Sequence, residues 1–180
     1  MKSNKKRVWD APVRLLHWAL AASIVAAWLT RHDTGPAHEY IGYASAAVVA
    51  ARLAWGRFGN RYARFAHFVR GPAPTWQYLR AVMAGGARRH LGHNPLGGAM
   101  VVALLSCVGL VALSGWALGT DLLWGYAWPV RIHEALSWLL VGLVVLHVAG
   151  VIHTSWHQRE NLVAAMITGD KIAPRVDDAD

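Results

Sequence analysis

Four long apolar runs with almost no charge leave this chain little choice of fold: roughly 13–30, 38–55, 96–118 and 132–154. Each is close to the ~20 residues that span ~30 Å of hydrocarbon. A backbone inside a bilayer must satisfy its own hydrogen bonds, so these runs are expected to be helices. The chain has 180 residues, 55% of them hydrophobic, and four spans leave little for a soluble domain. The expected fold is an all-α membrane protein, a four-transmembrane-helix bundle filling 1–180 as a single domain. It has no internal repeat and no low-complexity linker. Lys2, Lys5, Lys6 and Arg7 precede the first run as they would in a signal peptide. That run is long, however, and its small residues are scattered through it, so it is read as a span.

The net charge of +8 invites nucleic acid, but its distribution points to a membrane. The N-terminal tail carries Lys2, Lys5, Lys6, Arg7 and Arg14. The middle segment carries Arg57, Arg61, Arg64, Arg70, Arg80, Arg88 and Arg89, with no acid between Arg57 and Pro95. The two other connections are nearly balanced, Arg31 against Asp33 and Glu39, then Arg131 against Asp121 and Glu134. Positive flanks stay in the cytoplasm. Both termini and the basic loop 57–95 are therefore expected inside, and 31–37 and 119–131 outside. The predicted location is a bacterial inner (cytoplasmic) membrane, crossed several times, with the basic rim against anionic head groups. No nucleic-acid partner is expected.

Histidines supply the chemistry. His133 and His147 lie fourteen residues apart in one apolar run. At ~100° and ~1.5 Å per residue, they return to within ~40° of the same face, ~21 Å apart along the axis. His17 stands early in the first run and His38 at the start of the second. With the topology above, His17 and His147 share the inner layer, and His38 and His133 the outer. Each layer receives two imidazoles from two helices, which suits two haems held by paired histidines in a bundle core. Imidazoles inside a membrane are costly unless used. The single cysteine, Cys107, excludes a Cys-x-x-Cys-His attachment, so haem is expected to be held noncovalently, as haem b.

The run Val8-Trp9-Asp10-Ala11-Pro12-Val13-Arg14-Leu15-Leu16-His17-Trp18, with His38-Glu39-Tyr40-Ile41-Gly42-Tyr43, Asn94-Pro95-Leu96-Gly97-Gly98, His133-Glu134 and His147, resembles the prokaryotic cytochrome b561 family. That family includes the b-type cytochrome subunits of nickel-iron hydrogenases. Arg159-Glu160-Asn161-Leu162 through Met166-Ile167-Thr168-Gly169 extends the likeness over nearly the whole chain. The resemblance implies two b haems on His17, His38, His133 and His147. It also implies electron transfer between the quinone pool, ubiquinone or menaquinone, and a c-type cytochrome, dehydrogenase or hydrogenase subunit. Some members oxidise superoxide and reduce ubiquinone on their own; that alternative calls for a cationic funnel, and the outer connections carry only Arg31 and Arg131. A homodimer is a further partner to test.

Arg52 lies fourteen residues after His38, at about the depth of His17 and His147. A cation there needs a counter-charge, and a haem propionate would serve through a charge-assisted pair. Arg14, one turn before His17, is a second propionate candidate. Trp9, Trp55, Trp124, Trp128 and Trp156 read as interfacial anchors. His90 and His93 read as surface residues of a loop, and Asp177, Asp178 and Asp180 as a solvated tail. Short amphipathic helices are expected over Thr75–Met83 and Asn161–Thr168, lying on the inner surface.

Overall fold

The computed structural model describes residues 5–33, 35–173 and 178. Lys2, Asp177 and Asp180 lie outside the described residues. In chain order the elements are β1 (Lys5–Arg7), α1 (Ala11–Leu29), α2 (Ala37–Phe58), α3 (Phe65–Phe68), α4 (Pro72–Met83), α5 (Pro95–Leu118), α6 (Ala127–Gln158), α7 (Leu162–Thr168) and β2 (Asp170–Ile172). Three of them, α1, α5 and α6, are long and apolar enough to cross a membrane. The helix α2 has 22 residues but carries Glu39, Arg52 and Arg57 and is less apolar.

The helices begin where local chemistry lets them. Asp10 caps α1, its Oδ1 accepting from the Val13 amide at 2.9 Å, with Pro12 in the first turn where no amide is needed. Asn94 does the same for α5, accepting from the Gly97 amide at 2.7 Å ahead of Pro95. Asn161 caps α7 through the Ala164 amide at 2.8 Å. The α7 helix stops at Gly169, whose φ of 88° is left-handed. A Cβ there would also lie 2.5 Å from the Trp9 carbonyl, so only glycine fits.

The helix α1 packs on α2, α2 on α5, and α5 on α6. Among the described residues, α6 makes no comparable backbone approach to α1 or α2; it meets α1 through side chains, the Trp28 and Trp138 rings lying 4.9 Å apart. Val49, Leu105, Cys107, Val108 and Leu140 fill the middle of the packed side. A second core, built on Val8, Trp9, Val13, Ala63, Leu91 and Ala165, closes one end of the bundle. Trp9 is 6% exposed and belongs to that core. This corrects its reading as an interfacial anchor: the Val8 and Trp9 amides donate to the Gly169 carbonyl, which draws the residue under α7. Trp156 and Trp124 keep the exposed placement expected of anchors, at 84% and 77%.

At the closed end β1 pairs antiparallel with β2, Lys6 opposite Lys171, so segments near both ends of the chain meet there. The basic loop reaches the same place. Arg89 donates to Glu160 at 3.1 Å and to the Ile172 carbonyl at 2.9 Å, and also pairs with Asp178. Lys171 lies 3.5 Å from Glu160, and the Ile172 amide donates to Glu160 at 2.7 Å. Arg89, Glu160 and Lys171 are all buried. Burial pulls the Lys171 ammonium below its ordinary value, and Glu160 pulls it back up. Asp178 is therefore a clamp residue and not part of a solvated tail. The amphipathic segments appear as α4 and α7, while β1, β2 and α3 carried no sequence signal.

Candidate cofactor site: two facing histidine pairs

Between α6 and the α1–α2 pair the four histidines meet in twos. The rings of His17 on α1 and His147 on α6 are 6.3 Å apart, centre to centre. Those of His38 on α2 and His133 on α6 are 6.2 Å apart. Within each pair the planes are inclined, by 57° and 86° respectively. Two imidazoles that bind one metal from opposite sides, each nitrogen ~2 Å from it, put their ring centres about 6 Å apart. Direct packing of two rings edge to face would also permit such a spacing. Two such spacings, one at each level between α6 and the α1–α2 pair, fit a flat cofactor threaded between the members of each pair, while the Trp28 and Trp138 rings meet directly at 4.9 Å.

The outer pair, His38 and His133, is oriented by the helices beside it. Its Nδ1 nitrogens are both engaged. The His38 Nδ1 donates to the Ala27 carbonyl at 3.0 Å, with Thr30 Oγ1 at 3.4 Å. Ser114 Oγ donates to the Val111 carbonyl at 2.9 Å, so it accepts from His133 Nδ1 at 3.0 Å. Each bond places the proton on Nδ1 and leaves Nε2 as the bare nitrogen a metal requires. Gly115 makes room: a Cβ there would stand 3.1 Å from the His133 ring.

The inner pair, His17 and His147, has no such tether among the described residues. His17 has the Trp18 ring edge-on at 5.2 Å. Around it stand the parts of the closed end. Trp18 Nε1 donates to the Met166 carbonyl at 3.3 Å, and Arg14 Nη1 donates to the Ile167 carbonyl. Trp55 Nε1 donates to Asp10 Oδ2 at 2.9 Å. Arg14 gives its Nη1 to the last turn of α7 and keeps a buried Nε with no partner, so it stays a propionate candidate beside Arg52. Arg52 is 8% exposed. Its Nη2 donates to the Ala63 carbonyl at 3.3 Å, its guanidinium lies 5.0 Å from the centre of the Phe65 ring, and its Nη1 is buried with no partner.

His93 departs from the surface reading. Its ring sits 4.6 Å from Trp9 and 4.4 Å from Phe68, and its Nδ1 is sealed from solvent without a partner. Burial, reinforced by the nearby Arg52 and Lys171 cations, pushes its pKa down to about 3. His90, three residues earlier, stacks edge-on against Tyr78. Among the described residues no group of three or more His, Cys, Asp or Glu is placed to hold a bare metal ion. What the described residues present instead is two pairs of facing imidazoles.

Residues 8–169 match the family described as prokaryotic cytochrome b561. The chain belongs to that family. Membership makes it an integral membrane cytochrome of b type, with haem b as its cofactor and electron transfer as its chemistry. Curated relatives span nearly its whole length. A probable Ni/Fe-hydrogenase B-type cytochrome subunit of Azotobacter vinelandii is 26% identical, covering 93% of this chain and 89% of the relative. Proteins of the same name from Bradyrhizobium diazoefficiens and Cupriavidus necator are 24% and 25% identical, covering 91% and 90% of this chain and 85% of each relative. The alignment to the Azotobacter protein runs over 216 positions, so insertions separate the two sequences.

Proposed function

We propose that this chain is a di-haem b-type cytochrome, carrying electrons through the cytoplasmic membrane between the quinone pool and a redox partner. The observation that carries the reading is the pair of ring separations, 6.2 and 6.3 Å, at two levels between α6 and the α1–α2 pair. His17 and His147 would hold the inner haem, and His38 and His133 the outer. Haem iron supplies one-electron exchange, and paired imidazoles leave no open position on it for oxygen chemistry.

The rest is the work of the chain's own groups. Ala27 and Ser114 hold the outer imidazoles in the metal-binding tautomer. The helix α6 sets the spacing of the two layers by contributing one histidine to each. Arg52 holds a positive charge at the inner layer, where it would meet a haem propionate. The four-span topology, with both chain ends and the loop 57–95 in the cytoplasm, is supported by the meeting of β1, β2 and Arg89 at the inner-pair end. The relatives' names make a nickel-iron hydrogenase one candidate partner, beside a c-type cytochrome or another dehydrogenase. Ubiquinone or menaquinone is the expected mobile carrier.

The test is haem stoichiometry and spectrum. Purified protein is expected to hold two noncovalent b haems per chain, extractable in acidic acetone. A pyridine haemochrome assay giving one haem or none sinks the two-layer reading.

A further inference from the structure

We infer that His93 and Arg52 together form a carboxylate anchor for the inner haem, taking one of its propionates between an imidazole N–H and a guanidinium. The inference rests on the di-haem reading above.

The observation behind it is a charge without a counterpart. Arg52 is nine-tenths buried, and none of the ion pairs among the described residues includes it. Its one protein bond goes to a neutral carbonyl, and Nη1 has nothing. Asp10, the acid whose charge acts on Arg52, is already committed: Oδ1 caps α1 and Oδ2 accepts from Trp55. An uncompensated buried cation costs several kcal/mol, so an anion from outside the chain is the natural complement. His93 brings the second unpaired polar atom. Its ring leans on Phe68, which in turn packs 5.7 Å from the Phe65 ring beneath Arg52. His17, His147 and Arg52 all lie near enough to His93 to act on its charge. Arg52 Nη1, His93 Nδ1 in its N–H tautomer and the Arg14 Nε, all buried and without a protein partner, therefore border the layer where the inner haem would sit. A carboxylate has two oxygens to give them.

A free anion or a water could satisfy the same donors, and the experiment separates these occupants. In purified holo-protein, His93→Ala is expected to raise the ferric-to-ferrous ratio of the inner haem at fixed ambient potential by roughly five- to tenfold. The ratio reads only the part of that bond that differs between ferric and ferrous iron, a fraction of the roughly ten- to hundredfold carried by a bond to a charged group, and tenfold is about 59 mV for one electron. The sign follows because a propionate stripped of a donor favours ferric iron. His93→Gln keeps a donor and is expected to stay within about twofold of wild type. With carbon-13 in the haem carboxylates, the redox-difference infrared band of the inner haem is expected to move in both variants. An unshifted inner ratio in His93→Ala, an equal shift of both haems, or an unmoved carboxylate band in His93→Gln overturns the anchor. If His93→Ala does not load haem, the band in His93→Gln decides alone. Wild-type protein with fewer than two haems overturns the di-haem reading instead.

Discussion

The two histidine pairs have almost the same spacing and opposite surroundings. At the outer pair, orientation is local: His38 is tied to the end of α1 and His133 to α5, each by its Nδ1 to a helix beside it. At the inner pair no ring nitrogen is tied within the described residues. The layer is instead enclosed by parts drawn from far apart in sequence: α7, β1 with β2, the Arg89–Glu160–Lys171 network, Arg52 and His93. One layer is bordered by what its own helices present, the other by segments 5–9 and 160–172. If both hold haem, the same ligands sit in two electrostatic settings, and the two potentials separate for that reason.

The sharpest way to break this comparison is to remove ligands. His17→Ala or His147→Ala is expected to abolish the inner haem and spare the outer, with His38→Ala or His133→Ala doing the reverse. Two replacements within one pair should cost no more than one haem, read from the haemochrome and the reduced-minus-oxidised spectrum. Loss of the same spectral component in His17 and His38 variants would show that the layers are assigned wrongly.

The enclosure itself comes next in size. Glu160→Ala leaves Arg89 and Lys171 buried without their shared carboxylate, a change of about 3–5 kcal/mol. It is expected to loosen the closed end and lower the melting temperature, with the inner haem lost ahead of the outer on heating. Simultaneous loss of both haems would mean that the two layers do not differ in how they are held.

Arg52→Leu sharpens the electrostatic half. A charge ~8 Å from the iron at an effective dielectric of ~20 is worth ~2 kcal/mol, or on the order of 90 mV for one electron. Screening and reprotonation of the propionate reduce this to some tens of millivolts. Removing a cation favours ferric iron, so the inner potential should fall while the outer stays. A redox titration in which the inner potential does not move would return Arg52 to a purely structural role on Ala63 and Phe65.

The smallest expected effect belongs to the outer tether. Ser114→Ala removes the acceptor that fixes the His133 tautomer, and such partners are worth roughly tenfold or more in metal affinity. Outer haem retention during dilution in detergent should weaken to that degree and no further. An inner haem that weakens equally would refute the local character of the outer layer.

How much of this was legible follows the range of the interactions. The helices α1, α5 and α6 announced themselves through apolar length, and α4 and α7 through amphipathic patterning. The four histidines could be paired because a helix has a fixed rise and twist, and because alternating crossings fix which end each occupies. Arg89 and Glu160 stand 71 residues apart, and no local pattern links them. His93 looked exposed because Gly92 and Pro95 mark a loop, and only Trp9 and Phe68 folding against it enclosed the ring. Trp9 failed for the same reason, its burial depending on a carbonyl at Gly169.

What the amino-acid sequence determined by itself is the membrane-embedded helical class and the two-layer arrangement of imidazoles, since hydrophobic length and helical periodicity are properties of short stretches. Tertiary structure alone decided that the histidines face each other at 6.2 and 6.3 Å, that Arg52 and His93 are left with unpartnered buried polar atoms, and that segments 5–9 and 160–172 gather beside the His17–His147 layer. Those outcomes depend on where distant backbones come to rest, because burial and an unpaired polar group are properties of the assembled surroundings and not of any residue alone.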